Sequence, residues 1–559
     1  MLYSKVLADK VLAADEADTI NNPFAPFKYV NTVDDLPLTG NMLGTKVLVI
    51  SNNTPYIWLG SGSSFGWYPL AMKSNAFALN NFVSTAIASN NFDYYVGRVA
   101  NITQTATNPN ADEYAIHRLD DTGNHVWTTV LGCNSTNYSD QGIPTINRLY
   151  ANDNYVYAYS NPRYVISGNV RNVAMITKLS RSTGSYEDLV ALPVDLTSSP
   201  SNCIYSKQSV LGGITSVWTS SINSGTSLIV ARYPDSLYQT GDTINVNSSH
   251  FYKKIALSTL PSGGNWRSAV ELSDGSIVIA GSSFESSGSP NYYQWYTTIV
   301  IKISPDGNTV TNHFRGAGPT NSGASGFDMS MVSEGLQVLP DGNIFLGLLR
   351  NSDRDSGFII LDSNLNLVDG KMLSFSDPAI PTYYYYSDWT GLQYHIDGNY
   401  LYGYSIVWPG DTYAGHFISF ILDLSTYEVV GTPYIWKDGD KSTYFNIINY
   451  SNGYIDYLFG DTNINTRLFH EKIQYPPNFV KWDYPSLTGR IDGAVNVGDI
   501  PAANWTITTA ANPAGYSISN FTPLNIYSTH DTSYGGSSSY YDIVETNYTG
   551  FIPERIVRE

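Results

Sequence analysis

The chain is poor in charge. Only 14% of its 559 residues are Asp, Glu, Lys or Arg, against about a quarter in an ordinary globular domain. Long Lys/Glu/Ala-rich stretches are missing, which argues against a helical protein. Cysteine is nearly absent: Cys133 and Cys203 stand 70 positions apart, with no CxxC spacing and no neighbouring His cluster. They read as small buried thiols rather than a disulfide framework. No apolar run is long enough to cross a membrane. Lys5, Asp9 and Lys10 interrupt the apolar positions of residues 1–18, so no signal peptide is assigned. Leu2, Val6, Val11 and Leu12 would instead share one face of a short docking helix. Basic residues are scarce too: 30 Lys and Arg against 48 Asp and Glu leave a net charge of −18. Without a basic stripe, that balance disfavours nucleic acid and anionic membranes as partners.

What is abundant is strand and turn chemistry. There are 44 Tyr, 46 Gly and 27 Pro; Tyr favours strands, and Gly and Pro punctuate turns. A pattern recurs about every 60 residues: a turn with Gly or Asn, then an alternating apolar strand. ELSDGSIVIAG at 271–281, QVLPDGNIFLG at 337–347 and QYHIDGNYLYG at 393–403 carry it, as does INYSNGYIDYLFG at 448–460. Weaker copies lie at 148–161 and 211–221. The turn residues are Asn154, Gly213, Gly275, Gly342, Gly398 and Gly453. Each copy is followed by a second hairpin, as in AIHRLDDTGNHVWTTVLG at 115–132 and IVIKISPDGNTVTNHF at 299–314. Two hairpins make four strands per period, the signature of a propeller. The expectation is therefore an all-β chain with a six- or seven-bladed β-propeller over 76–485, six units being clear and a seventh starting near Asn91. A β-helix coil is far shorter, and a sandwich would not repeat so regularly. Around the propeller stand a docking segment at 1–32, a small β connector at 33–75 and an irregular C-terminal extension at 486–559.

The connector carries a resemblance. DDLPLTGN at 34–41, VLVISNN at 47–53, YIWLGSG at 56–62 and GWYPLA at 66–71 resemble a short β-module in structural proteins of tailed bacteriophages, marine and cyanobacterial ones among them. In those proteins the module looks like the N-terminal connector of fibre-like or virion-surface components. The resemblance implies a virion location, other virion proteins as partners, a homo-oligomer in the particle, and an anchoring role for Leu36, Trp58 and Trp67. It covers about 40 residues and does not reach the repeat.

No catalytic motif stands out, and no cofactor is expected. The eight histidines form no HExxH or HxH, so metal ligation has no sequence support. His117 and His125 flank one hairpin turn and read as surface strand residues. GASGF at 323–327 does not fit a nucleophile elbow. In SPDGN at 304–308 and LSDGS at 272–276 the Asp and Gly are adjacent, unlike the Ser-x-Asp-x-Gly turns of sialidase-type propellers. These aspartates read as turn caps. Oxygen-rich loops at 108–113, 352–357 and 437–442 lack the EF-hand register and read as solvated turns. The most suggestive feature is aromatic. PTYYYYSDW at 381–389 holds Tyr383, Tyr384, Tyr385, Tyr386 and Trp389. NYYQWY at 291–296, read as the equivalent place in an earlier unit, holds Tyr292, Tyr293 and Trp295. Consecutive tyrosines must point both ways, and flat aromatics beside polar groups suit stacking on sugars or packing on protein. Covering an adjacent blade is the plainer use. Three functions remain: a virion structural protein touching a host-surface glycan, a receptor or another subunit; a glycan-degrading enzyme acting on host polysaccharide, or a lectin-like adhesin; and a scaffold that binds only proteins.

Overall fold

The computed structural model describes 28–31, 46–49, 54–61, 64–69, 75–78, 86–90, 93–100, 113–119 and 125–133. It describes most of 146–235, 250–317, 329–376, 393–437 and 442–474, the pair 383–384, and 494–499, 506–511, 513, 516–520, 543–547 and 554–557. Side chains are described chiefly between Ile116 and Val430. The described residues are all-β, with antiparallel sheets and no helix. The proposed docking helix at 1–18 and Leu36 lie outside them.

Strands Lys28–Val30, Lys46–Val49, Thr54–Ser61 and Ser64–Pro69 form one sheet whose strands pair only among themselves. Its first pair is parallel and the others antiparallel. Val49 stands opposite Thr54. Among the described residues the larger sheets that follow lie at 86–133, 146–192, 202–257, 265–317, 329–376, 383–437 and 442–474; they are numbered one to seven below. In sheets one, three, four and five, four consecutive strands pair in chain order; in sheet two the hairpin 163–172 stands between the second and third strands of the pairing order. In sheet four both sequence hairpins are there: Glu271 pairs with Ile277, and Ile303 with Val310. In sheet three the third strand, Gly225–Tyr233, pairs with Phe251–Leu257 across a long connection rather than a tight turn. First strands of consecutive sheets lie against one another, with Gln393–Asp397 in that place in sheet six, and that of sheet seven lies against that of sheet one.

Alternation explains the stacking. In sheet four, Ile277, Ile279, Ile299, Ile301 and Ile303 pack toward sheet three, with Val217, Leu228, Val230 and Phe251. Their neighbours Val278, Ala280 and Val300 pack toward sheet five, with Leu336, Ile344, Leu346 and Ile359. A strand buried on both faces needs an almost unbroken apolar run, which IVIAG and IVIKI supply. Each fully buried Ile contributes roughly 1.5–3 kcal/mol. Similar cores join sheet two to three and five to six. Cys203 is buried in the second-to-third interface, where its Sγ donates to the Tyr205 carbonyl at 3.2 Å.

The C-terminal extension is not irregular throughout, as expected from its composition. Ala494–Asp499 pairs with the outer strand of sheet five, Thr506–Ala511 with that of sheet four, and Tyr516–Asn520 with that of sheet three. Ile543–Asn547 joins sheet one, and Glu554–Val557 pairs with Asn75–Ala78, which lies against Arg467–Gln474 of sheet seven. The chain thus runs backwards over the sheets it has built. Pro501, Pro513, Pro523 and Pro553 follow the first four of these strands; proline ends pairing and frees the chain to cross to the next sheet. Composition hid this because Ser, Thr and Asn are neutral toward strands until an open edge offers partners.

Candidate interaction surface

In an antiparallel four-strand meander, the first-to-second and third-to-fourth junctions lie at one end of the strands. The second-to-third junction and the exit to the next sheet lie at the other. The first end carries tight turns, the third-to-fourth junction of sheet three excepted. Gly213, Gly275, Gly342 and Gly398, all read from sequence as turn residues, have positive φ, the conformation that favours glycine. The turn aspartates cap backbone, as their Asp-Gly spacing implied. Asp274 accepts from Ser276 N–H at 2.8 Å, and Asp341 from Asn343 N–H at 2.9 Å. Asp306 accepts from Ser304 Oγ at 2.6 Å and Asn308 N–H at 3.1 Å. Asp362 accepts from Asn364 and Asn366 N–H, both at 2.8 Å. The Ser304 hydroxyl and then the Asn308 amide hold the Asp306 carboxyl below its usual value.

The same end carries a set of cross-sheet staples. Arg118, in the third strand of sheet one, donates to the Arg181 carbonyl in the turn of sheet two at 2.8 Å. Tyr157 of sheet two donates to the Asp235 carbonyl of sheet three at 2.9 Å. Arg232 of sheet three donates to the Pro305 carbonyl of sheet four at 2.7 Å. Lys302 of sheet four donates to the Ser363 carbonyl of sheet five at 3.0 Å. Arg232 is the centre of the densest group. Its Nη2 donates to Glu271 Oε1 and to the Gly275 carbonyl, both at 2.9 Å, and its Nε to Thr215 Oγ1 at 3.2 Å. Ser209 Oγ donates to the same Glu271 oxygen at 2.7 Å. The two charged side chains are 0% and 2% exposed. Burial pulls the Arg232 guanidinium below its ordinary pKa, and Glu271 opposes that shift. Sequence reading missed these staples. The signal was a cation at a fixed place before the turn, in RLD at 118–120, RYPD at 232–235 and KISPD at 302–306.

His117 is a correction. It is fully buried rather than on the surface, its Nδ1 lies 2.8 Å from Thr128 Oγ1, and its cross-strand partner is Thr128, not His125. Among the described residues no group of His, Cys, Asp or Glu could hold a metal ion.

The aromatic candidates fall at the other end. Residues 287–293 join the second and third strands of sheet four, and 377–392 run from sheet five to Gln393–Asp397 of sheet six, with the short strand Tyr383–Tyr384 of sheet six inside them. The two segments are therefore not equivalent positions in the repeat, since one is a hairpin loop and the other a link between sheets. They share only the end of the strands. Tyr383 and Tyr384 pair with Pro409 and Trp408, and Trp295 with Glu285. Tyr292, Tyr293, Tyr385, Tyr386 and Trp389 lie outside the described residues. In the N-terminal sheet Trp58 and Trp67 are direct cross-strand partners. The oxygen-rich loops at 108–113, 352–357 and 437–442 fall largely outside the described residues.

No protein-family model matches the chain. No curated protein matches its sequence.

Proposed function

We propose that the protein is a structural component of a tailed-phage virion, in which a seven-bladed propeller is held out by an N-terminal attachment module. The observation that carries this reading is a coincidence of two boundaries. The stretch that resembles phage connector modules, 33–71, coincides with most of a sheet whose strands pair only with one another. A self-contained sheet beside a larger body suits attachment, with the body left for contact. The propeller rests on the contact order of the first strands, which runs from sheet to sheet and returns from the seventh to the first. It also rests on the cores between neighbouring sheets.

In this arrangement Trp58 and Trp67 belong to the anchoring sheet, and the loops at 287–293 and 377–392 share the face open to a host-surface glycan, a receptor or a neighbouring subunit. Other virion proteins hold the N-terminal sheet, and several copies share the particle. The test removes residues 1–71 during particle assembly. The expected result is a chain with unchanged β-sheet circular dichroism that is absent from purified particles. Normal incorporation would overturn the anchoring role. Electron microscopy of the purified chain tests the propeller separately: seven sheets around one axis are expected, and two stacked sheets would refute it.

A further inference from the structure

We propose that residues 494–557 are an external strap that docks after the sheets have formed, holds them together, and opens while they remain folded. The strap pairs with sheets five, four, three and one and with the 75–78 strand, in that order. Its pairing edges come from sheets that lie apart in sequence, so it finds them only once those sheets stand side by side. Each strap strand covers an outer edge whose N–H and C=O groups would otherwise be open to association. Among the described side chains of the strap none is fully buried, and Asp499, Thr508, Thr509 and Ala511 are exposed. Between 494 and 520 its sole charged residue is Asp499, which accepts from Lys371 Nζ at 2.7 Å. Val497 and Ile518 pack against the cores only as partly buried residues. The sheets beneath are joined by fully buried apolar side chains and by the Arg232–Glu271 pair. Elements with few buried contacts open first.

The inference stands apart from the virion reading, because it uses strand pairing alone. Hydrogen exchange on the intact chain, followed by mass spectrometry, tests it. Amides in 506–511 and 516–520 are expected to exchange at least about a hundredfold faster than those in 277–282 and 299–303. Asp499→Lys, which sets two ammonium groups together, is expected to speed exchange in 494–499 further and leave 277–303 unchanged. Equal rates in strap and sheets, or an Asp499→Lys effect spread evenly over both, would overturn the proposal. A protease site placed between 475 and 493 gives an independent reading. After cleavage the strap fragment is expected to stay bound in buffer, to leave at a urea concentration below that which unfolds the sheets, and to leave behind a body that self-associates. Release only in the transition that unfolds the sheets would refute it.

Discussion

The two ends of the strands are built on different principles. At the turn end, outside the 234–250 connection of sheet three, the chain reverses in a few residues, with glycines at positive φ and aspartates bonded to backbone amides. Side chains from one sheet reach carbonyls of the next there. At the other end the junctions vary in length and content. Sheet three turns between Ile222 and Gly225, sheet two inserts a hairpin at 163–172, and sheet five reaches sheet six through 377–392. The first end repeats because every sheet must fit its neighbour in the same way. The second end is free to differ, and differing loops on a fixed frame are where binding residues concentrate. The contrast makes a claim about energy: substitutions at the turn end should cost stability, and those at the loop end should cost contacts.

The largest effect is expected at Arg232. Replacing it with Met leaves Glu271 buried without its cation, and breaking a buried pair in this way costs roughly 3–5 kcal/mol. Urea denaturation of the full chain measures the loss. Arg232→Met with Glu271→Leu is expected to recover most of it, because an apolar pair of similar volume removes the uncompensated charge. A double variant as weak as the single one would show that the carbonyl bonds to Pro305 and Gly275 matter more than the ion pair.

The turn glycines come next and separate strain from space. A Cβ on Gly213 would lie 2.3 Å from the Tyr233 carbonyl oxygen, which is backbone and cannot move aside. On Gly275 it would meet Leu211 Cδ1 at 2.4 Å, a half-exposed side chain that can turn away; on Gly342 it meets nothing within 4 Å. All three have φ between 76° and 85°. Alanine is expected to cost about 1 kcal/mol at Gly342 from φ alone, and more at Gly275 and then Gly213. Thermal unfolding of the three variants gives the order, and a Gly342 variant as damaged as Gly213 would mean that strain, not contact, dominates.

A smaller effect follows from acid. Asp306 is held below its ordinary value by the Ser304 hydroxyl and the Asn308 amide, and Asp423 by the Ser425 hydroxyl and amide. At Asp362 burial pulls upward, but bonds from Asn366 and Asn364 prevail. The unfolded chain therefore binds more protons than the folded one below about pH 4. The stability these caps add is complete above the ordinary carboxylate pKa of about 3.9 and disappears as pH falls through their lowered values. Asp306→Asn, Asp362→Asn and Asp423→Asn together are expected to flatten the loss of stability between about pH 4 and pH 2. An unchanged slope would place the acid sensitivity elsewhere.

Legibility in sequence followed the same division. The strands of sheets two, four, five and six could be read because Asp-Gly turns and period-two alternation are local and repeat. Gly275, Gly342 and Gly398 announce a tight hairpin, and IVIAG and IVIKI announce a strand buried on both faces. The staples were harder, because Arg118, Arg232 and Lys302 look like ordinary strand cations until the neighbouring turn is in place. The strap was harder still. TITTAA at 506–511 and YSISN at 516–520 are short and carry no Asp-Gly turn, and their partners lie roughly 200 to 260 positions earlier. His117 was misread for a related reason: only the stacking of sheets decides which face of its strand is inside.

The smallest effect on stability is expected at the loop end, where it bears most on function. Tyr385, Tyr386 and Trp389 fall in the chain between Tyr383–Tyr384 and Gln393–Asp397, outside the described residues. Replacing all three with alanine is expected to change unfolding free energy by no more than about 0.5 kcal/mol, the usual scale for surface positions. The same variant is expected to lose adsorption to host cells when carried on particles. The two readings must be taken together. A destabilised variant would mean these rings cover a neighbouring sheet, the plainer use weighed from sequence, and the loop end would then share the structural task of the turn end. A stable variant with full adsorption would move the contact surface to another junction, with 287–293, at the same end of the strands, the next to test.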